Sequence, residues 1–316
     1  MSLLRDPAWR GLLSGIGAVL VVASVVGWIL SHRATSVAGR ATVENINARI
    51  RAWWVMVLIF LVAVATGTTI SILLFGFISF LALREFVTLA PTRPADHRAL
   101  FWLFFVVTPL QYYLIWIEWY GLFSILIPVY ISILLAIRTT LAGDTERFLE
   151  RTATNYWGLM ICVYFVSHVP ALLTLRIRGY EHQNAKLMVF LVVVVQMSDV
   201  LQYVWGKSLG RRRIAPAISP NKTWEGLVGG VLSATALGTL LWWVTPFSPG
   251  AAALMALVST LMGFAGGLIM SAIKRDRGVK DFGSLIAGHG GVLDRIDSLC
   301  FAAPVFFHLI RFFYAA

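Results

Sequence analysis

Residues 280–297 read KDFGSLIAGHGGVLDRID, and they stand between apolar stretches at 251–270 and 296–314. Stretches of about 20 apolar residues are long enough to cross a bilayer as helices. The pattern is therefore span, polar loop, span, and it sets the reading of the rest of the chain. Of 316 residues, 59% are hydrophobic and 13% are charged, whereas soluble domains carry roughly a quarter charged. The formal charge of +11 does not mark a nucleic-acid binder. That reading needs a basic surface on a soluble fold, and here the basic residues lie between apolar runs.

Ten apolar segments follow from the same rule: about 11–30, 53–68, 70–87, 99–116, 119–137, 156–175, 186–204, 225–245, 251–270 and 296–314. The sequence thus predicts an all-α, polytopic membrane protein of about ten transmembrane helices, with 1–316 forming a single integral membrane domain. Only Thr66-Gly67-Thr68-Thr69 interrupts the run 52–86, which is too long for one span, so a tight helical hairpin is expected there. The polar connection 31–52 is expected to lie along the membrane interface. The first apolar core, about 20 residues, exceeds the 7–15 of a signal peptide and reads as an uncleaved anchor. Cys162 and Cys300 fall inside spans, which predicts two buried thiols and no disulfide framework.

Lysine and arginine orient this arrangement. Loops 31–52, 84–98, 138–155, 206–224 and 271–295 hold 20 of the 26 basic residues, and the other side keeps 6. The positive-inside rule makes the richer side cytoplasmic and both termini external. The expected location is the cytoplasmic membrane, with the two richest loops facing the cytosol.

The first of these loops, 206–230, reads GKSLGRRRIAPAISPNKTWEGLVGG. Ser219 to Gly226 has the hydroxyls and early acid of a helix start. Free N–H groups there, beside Lys222, suit a phosphate; a plain basic loop with a well-capped helix fits the same residues. In the preceding segment Gln196, Asp199, Gln202 and Tyr203 share one helical face. Asp199 lies roughly 10 Å inside that helix. An acid at such depth faces a cavity, partner or ion, or else hydrogen-bonds a neighbouring helix.

In the second loop Asp294 and Asp297 are three apart, so both carboxylates can point to one side. Hard oxygen ligands at a helix entrance suit Mg²⁺, which takes a few carboxylates plus substrate phosphates. Lys274, Arg275, Lys280 and Arg295 can balance phosphate charge, and Gly288, Gly290 and Gly291 let backbone approach a ligand. His289 is either a phosphate donor or a residue that fixes the turn. Together these features read as a polyphosphate–metal site.

At these residues the chain resembles the phosphatidate cytidylyltransferase (CDP-diacylglycerol synthase) family, as a divergent bacterial-type member. Ser271, Lys274, Arg275, Lys280, Asp281, Gly283, His289, Gly290, Gly291, Asp294, Arg295 and Asp297 all fall in register with its C-terminal signature. Ser219 to Gly226, including Lys222, Thr223 and Glu225, match a second landmark, S-P-x-K-T-W-E-G. The resemblance covers about 195–305, the expected catalytic region. Two departures stand out: Ala287 replaces a Pro or Gly, and Gly267 replaces an acid in the family's G-D-x-x-E-S helix. In the family that acid shares metal binding with the first Asp of D-R-x-D, here Asp294. Asp199, Asp281, Asp297 and Glu225 are the candidate substitutes.

The resemblance implies CTP and phosphatidic acid as substrates at the bilayer, CDP-diacylglycerol and pyrophosphate as products, and Mg²⁺ as cofactor. It also implies catalytic roles for Lys274, Arg275, Lys280, Asp281, His289 and Arg295. Ser219, Lys222, Thr223, Glu225, Ser271, Gly290 and Gly291 would bind substrate, and Asp294, Asp297 and Asp199 the metal. A homodimer is the candidate assembly. Two other classes compete: a CTP-dependent lipid kinase of the polyprenol type, and a transporter coupled through Asp199. A transporter would show inverted repeats with broken helices, and the sequence has no visible repeat.

Overall fold

The computed structural model describes residues 6–33, 36–286 and 290–315. Ten helices follow in order: α1 (Pro7–Arg33), α2 (Val37–Thr66), α3 (Thr68–Thr88), α4 (Pro94–Trp116) and α5 (Tyr120–Thr140). Then come α6 (Phe148–Thr174), α7 (Asn184–Leu209), α8 (Trp224–Leu240), α9 (Pro249–Asp276) and α10 (Leu293–Phe313). Among the described residues nine of these are long and apolar enough to cross a membrane. The tenth, α8, has 17 residues, at the lower edge of about 17–25 for a span. The chain is an all-α, multi-pass membrane protein, as its apolar periodicity predicts.

Successive helices alternate in direction, and contacts between loops define two ends. At one end Arg277 reaches Glu150 at 3.7 Å, Arg275 donates to the Ile218 carbonyl at 3.2 Å, and Glu85 accepts from Val292 at 2.9 Å. At the other, Arg176 meets Glu118 at 2.9 Å, Asp6 pairs with Lys186, and Ile177 bridges to Ala315. Four of the five basic-rich loops, 84–98, 138–155, 206–224 and 271–295, therefore share one end.

The hairpin at Gly67 forms where expected. Its φ of +123° is a conformation open mainly to glycine, and its N–H closes α2 on the Ala63 carbonyl. The region 31–52 differs from expectation. It is not a separate interfacial segment, because α2 begins at Val37, capped by Ser36, and runs 30 residues without a break. Its polar first half simply continues the span, helped by the Arg49–Asn45 contact one turn apart at 2.9 Å. Helices α4, α5 and α6 each carry a one-turn π segment near a proline, where the missing N–H forces the ladder to shift.

The core lies among α3, α6, α7, α9 and α10, where Leu83, Ile161, Leu191, Ala256 and Ala303 are fully buried. Both cysteines are buried and unpaired.

Candidate active site

Helices α7 and α8 are drawn together by glycine. A Cβ at Gly226 would come within 2.8 Å of the Gln202 carbonyl, and one at Gly230 within 2.3 Å of the Gln202 side chain. Small residues four apart permit such close helix contact in a membrane. This approach places the end of α7 beside the start of α8, and between them runs a short antiparallel ribbon, β1 (Arg213–Ala215) with β2 (Ser219–Thr223).

The expected helix start begins later than Ser219. Thr223 is the cap, accepting from the Gly226 N–H at 3.1 Å, while Ser219 begins β2 and pairs with Ala215. Glu225 accepts from the Arg211 and Arg212 N–H groups at 3.0 and 3.2 Å. These bonds fold the basic loop back on the helix. Lys222 leaves β2 toward the membrane side: its ammonium lies 4.7 Å from the Phe264 ring centre, and a Cβ on Gly267 would stand 2.7 Å from it. The position where the related motif carries an acid thus faces a lysine. Burial pulls the Lys222 ammonium below the usual lysine range, opposed by the nearby charges of Asp199 and Asp297.

Asp199 and Asp297 converge at this point. Asp199 lies within electrostatic reach of Asp297, Lys222 and Arg295 and beside the Ser298 hydroxyl. Gln196, one turn earlier, donates to the Arg295 carbonyl at 3.0 Å and pins α7 to the first turn of α10. Gln202 turns instead to Ser198, and Tyr203 is exposed, so only the first two members of that predicted face enter the site.

Asp294 organises the second loop. It is buried, with Oδ1 accepting from Lys274 at 2.8 Å and Oδ2 from the Phe282 and Gly291 N–H groups at 2.8 and 3.0 Å. Those bonds draw Phe282 and Gly291 onto one carboxylate. Gly290 is required beside it, since its φ is +85° and a Cβ would crowd Asp294 and Asp281. Arg275 ties the two loops through Ile218 and Val279, and Ser271 donates to the Gly267 carbonyl at 2.7 Å. Lys280 and Asp281 stand exposed at the loop surface. The Arg295 Nε is buried without a partner among the described residues. His289 and its neighbours 287–288 lie outside the described residues.

Glu85 was not singled out in the sequence. Buried near the end of α3, it accepts from the Val292 and Leu293 N–H groups, both at 2.9 Å, at the start of α10. A carboxylate at a helix N-terminus satisfies free donors and meets the positive end of the dipole. It also explains two glycines of the loop: a Cβ at Gly283 or Gly291 would come within 2.7 or 2.3 Å of its oxygens. The available signal was an acid in the Arg84-Glu85 pair ending an apolar run.

Asp199 and Asp297, both half-buried, lie within electrostatic reach of one another and offer the hard oxygen donors that a divalent cation takes. Among the described residues no group of three or more His, Cys, Asp and Glu side chains is placed to hold a metal. Beside the loop lies an apolar cavity of about 270 Å³ between Phe86, Trp157, Ile273 and Phe282, with Asp276 and Arg277 at its edge.

The family model described as the Cytidylyltransferase family matches residues 47–313. The chain is 39% identical over 304 residues to the uncharacterized protein YnbB of Escherichia coli, covering 95% of this chain and 97% of that one. It is 33% identical over 220 residues to the phosphatidate cytidylyltransferase of Bacillus subtilis, covering 68% and 77%. With the phosphatidate cytidylyltransferase of Brucella abortus it shares 39% identity over 145 residues, 45% of this chain and 53% of the relative.

Proposed function

The chain belongs to the Cytidylyltransferase family, and from that premise we propose that it moves CMP from CTP to phosphatidic acid, giving CDP-diacylglycerol and pyrophosphate. The observation that carries the reading is the convergence of Asp199, Lys222 and Asp297 beside two basic loops, the second of which borders an apolar cavity at Ile273 and Phe282. A nucleotide triphosphate needs the first two features, and an acylated phosphate needs the last. These loops face the cytosol in this reading, supported by the 20 of 26 basic residues on their side. A homodimer is the assembly proposed with it.

A lipid phosphate has a second pKa near 6, so at neutral pH it is largely dianionic and attacks without a general base. Its oxygen bonds to the α-phosphorus of CTP as the bond to the β-phosphate bridge breaks, and pyrophosphate leaves. The obstacle is repulsion between anions. Lys222, Lys280 and Arg295 lower it by cationic screening, and Lys274 and Arg275 hold the loops that present them. Mg²⁺ between Asp199 and Asp297 would add charge neutralisation at the leaving phosphates. Asp294 and Glu85 keep the loop in register, and acyl chains enter along Phe86, Trp157 and Phe282.

CTP labelled at the α-phosphate, incubated with purified protein, Mg²⁺ and phosphatidic acid, tests this. Label recovered in lipid with equimolar pyrophosphate is the expected result. Label remaining on soluble CDP would instead identify a lipid kinase.

A further inference from the structure

The end of the bundle away from the candidate active site holds a second concentration of cations. Only 6 of the 26 basic residues fall on that side, yet Arg176, Arg178 and Arg311 line two adjoining cavities of about 330 and 720 Å³. Basic residues at this end run against the usual asymmetry, so their gathering has a local cause. Arg176 is matched by Glu118 at 2.9 Å. Among the described residues Glu118 is the one carboxylate lining the smaller cavity, and it is paired with Arg176 rather than Arg311.

Arg311 is half-buried near the end of α10, with its guanidinium carbon 3.4 Å from the centre of the Tyr120 ring. Stacking on an aromatic face fixes the planar fork and leaves its N–H donors free for a bidentate oxyanion. Behind it the polarity continues inward. The Tyr120 hydroxyl lies 3.5 Å from His308 Nδ1, and the His308 ring stands 5.2 Å from that of His168. His168 is fully buried, with Nδ1 on the Tyr164 carbonyl at 2.8 Å and Nε2 without a partner among the described residues. Ionisable side chains inside a membrane are costly and mark functional paths or ligands.

The depth of the cavity identifies the source of its ligand. Trp116 and Trp119 are more than half exposed on the turn that carries Glu118 and Tyr120. Exposed tryptophans sit at headgroup level in membrane proteins, so the mouth opens where lipid phosphates lie. We propose that this cavity is a phosphate-anion site whose ligand is the headgroup phosphate of a lipid in the leaflet opposite the candidate active site. Arg311 is its principal contact and Arg176 a second. This assignment stands independently of the reaction proposed above.

The test uses the full chain in detergent, with thermal stability and native mass spectrometry read against added phosphatidylglycerol, diacylglycerol or inorganic phosphate. Phosphatidylglycerol is expected to stabilise the protein and to be retained, while diacylglycerol and millimolar phosphate do neither. Arg311→Gln should weaken the phosphatidylglycerol effect by about tenfold or more, the scale of losing a charged hydrogen-bond partner. Arg311→Lys, which keeps the charge and loses the fork, should weaken it less and serves where the first variant does not fold. Equal retention by the parent and the Arg311 variants would overturn the proposal. Equal stabilisation by diacylglycerol would also overturn it, and full stabilisation by inorganic phosphate alone would overturn the lipid as source.

Discussion

Helices α1 and α2 and helices α9 and α10 are built from the same apolar residues but meet different surroundings. In the first pair only 17% and 11% of the most apolar window is buried, and Val22, Trp28, Leu58 and Val62 are largely exposed. In the second pair half of the window is buried, and Gly266 lets Phe301 of α10 press against α9. Lipid tails are as apolar as leucine, so hydrophobicity alone does not pack helices in a bilayer. Close packing arises where small residues and polar contacts permit it, as in α9 and α10 and in α6, the most buried span of all at 72%. The polar chemistry follows the packing, because a buried charge persists only where neighbours hold its partners.

The largest expected effect that tests this contrast is Asp297→Asn. Turnover should fall at least about a hundredfold, the scale of losing one preorganised electrostatic contact, while the protein still folds. Activity within threefold of the parent at saturating Mg²⁺ would remove Asp297 from the site. Glu85→Ala comes next. It strands two donors at the head of α10, at about 1–3 kcal/mol each, so a lowered Tm and a disordered loop should accompany lost activity. A variant with parental Tm would show that the contact between α3 and α10 contributes little.

A smaller effect concerns the acid replaced by glycine at 267. Asp199→Asn should raise the Mg²⁺ concentration needed for half-maximal activity several-fold, and adding Gly267→Asp should restore part of it. The new carboxylate would sit beside Lys222, whose flexible end can yield. An unchanged Mg²⁺ requirement in Asp199→Asn would return that residue to a structural role. The smallest effect is Leu58→Ala on lipid-facing α2, where Leu58 is 63% exposed. Stability should change by no more than about 0.5 kcal/mol, measured by denaturation in mild detergent, and a loss above 2 kcal/mol would mean that α1 and α2 belong to a packed interface.

Much of the site was legible because charge inside an apolar chain is conspicuous. Asp199 stood out by its depth, Lys222 by its place before a helix start, and Asp297 by its spacing. Asp294 carries the same signals, and its oxygens accept from Lys274 and two backbone N–H groups, partners that no local pattern announces. A sequence shows that a carboxylate is present, not which donors reach it. Glu85 escaped notice because its partners lie more than 200 positions away, beyond any local pattern.

The sequence by itself determined the helical class, the ten segments, the hairpin at Gly67 and the end of the bundle where the basic loops gather. Each of these follows from one-dimensional quantities: run length against bilayer thickness, charge against side, and glycine at an interruption. Tertiary structure alone decided that Lys222 faces Gly267, that Asp199 lies within electrostatic reach of Asp297, and that Glu85 anchors the loop from α3. It also placed Arg311 over Tyr120. Those pairings depend on how helices approach and rotate against one another, which packing between distant segments sets and which no local pattern encodes.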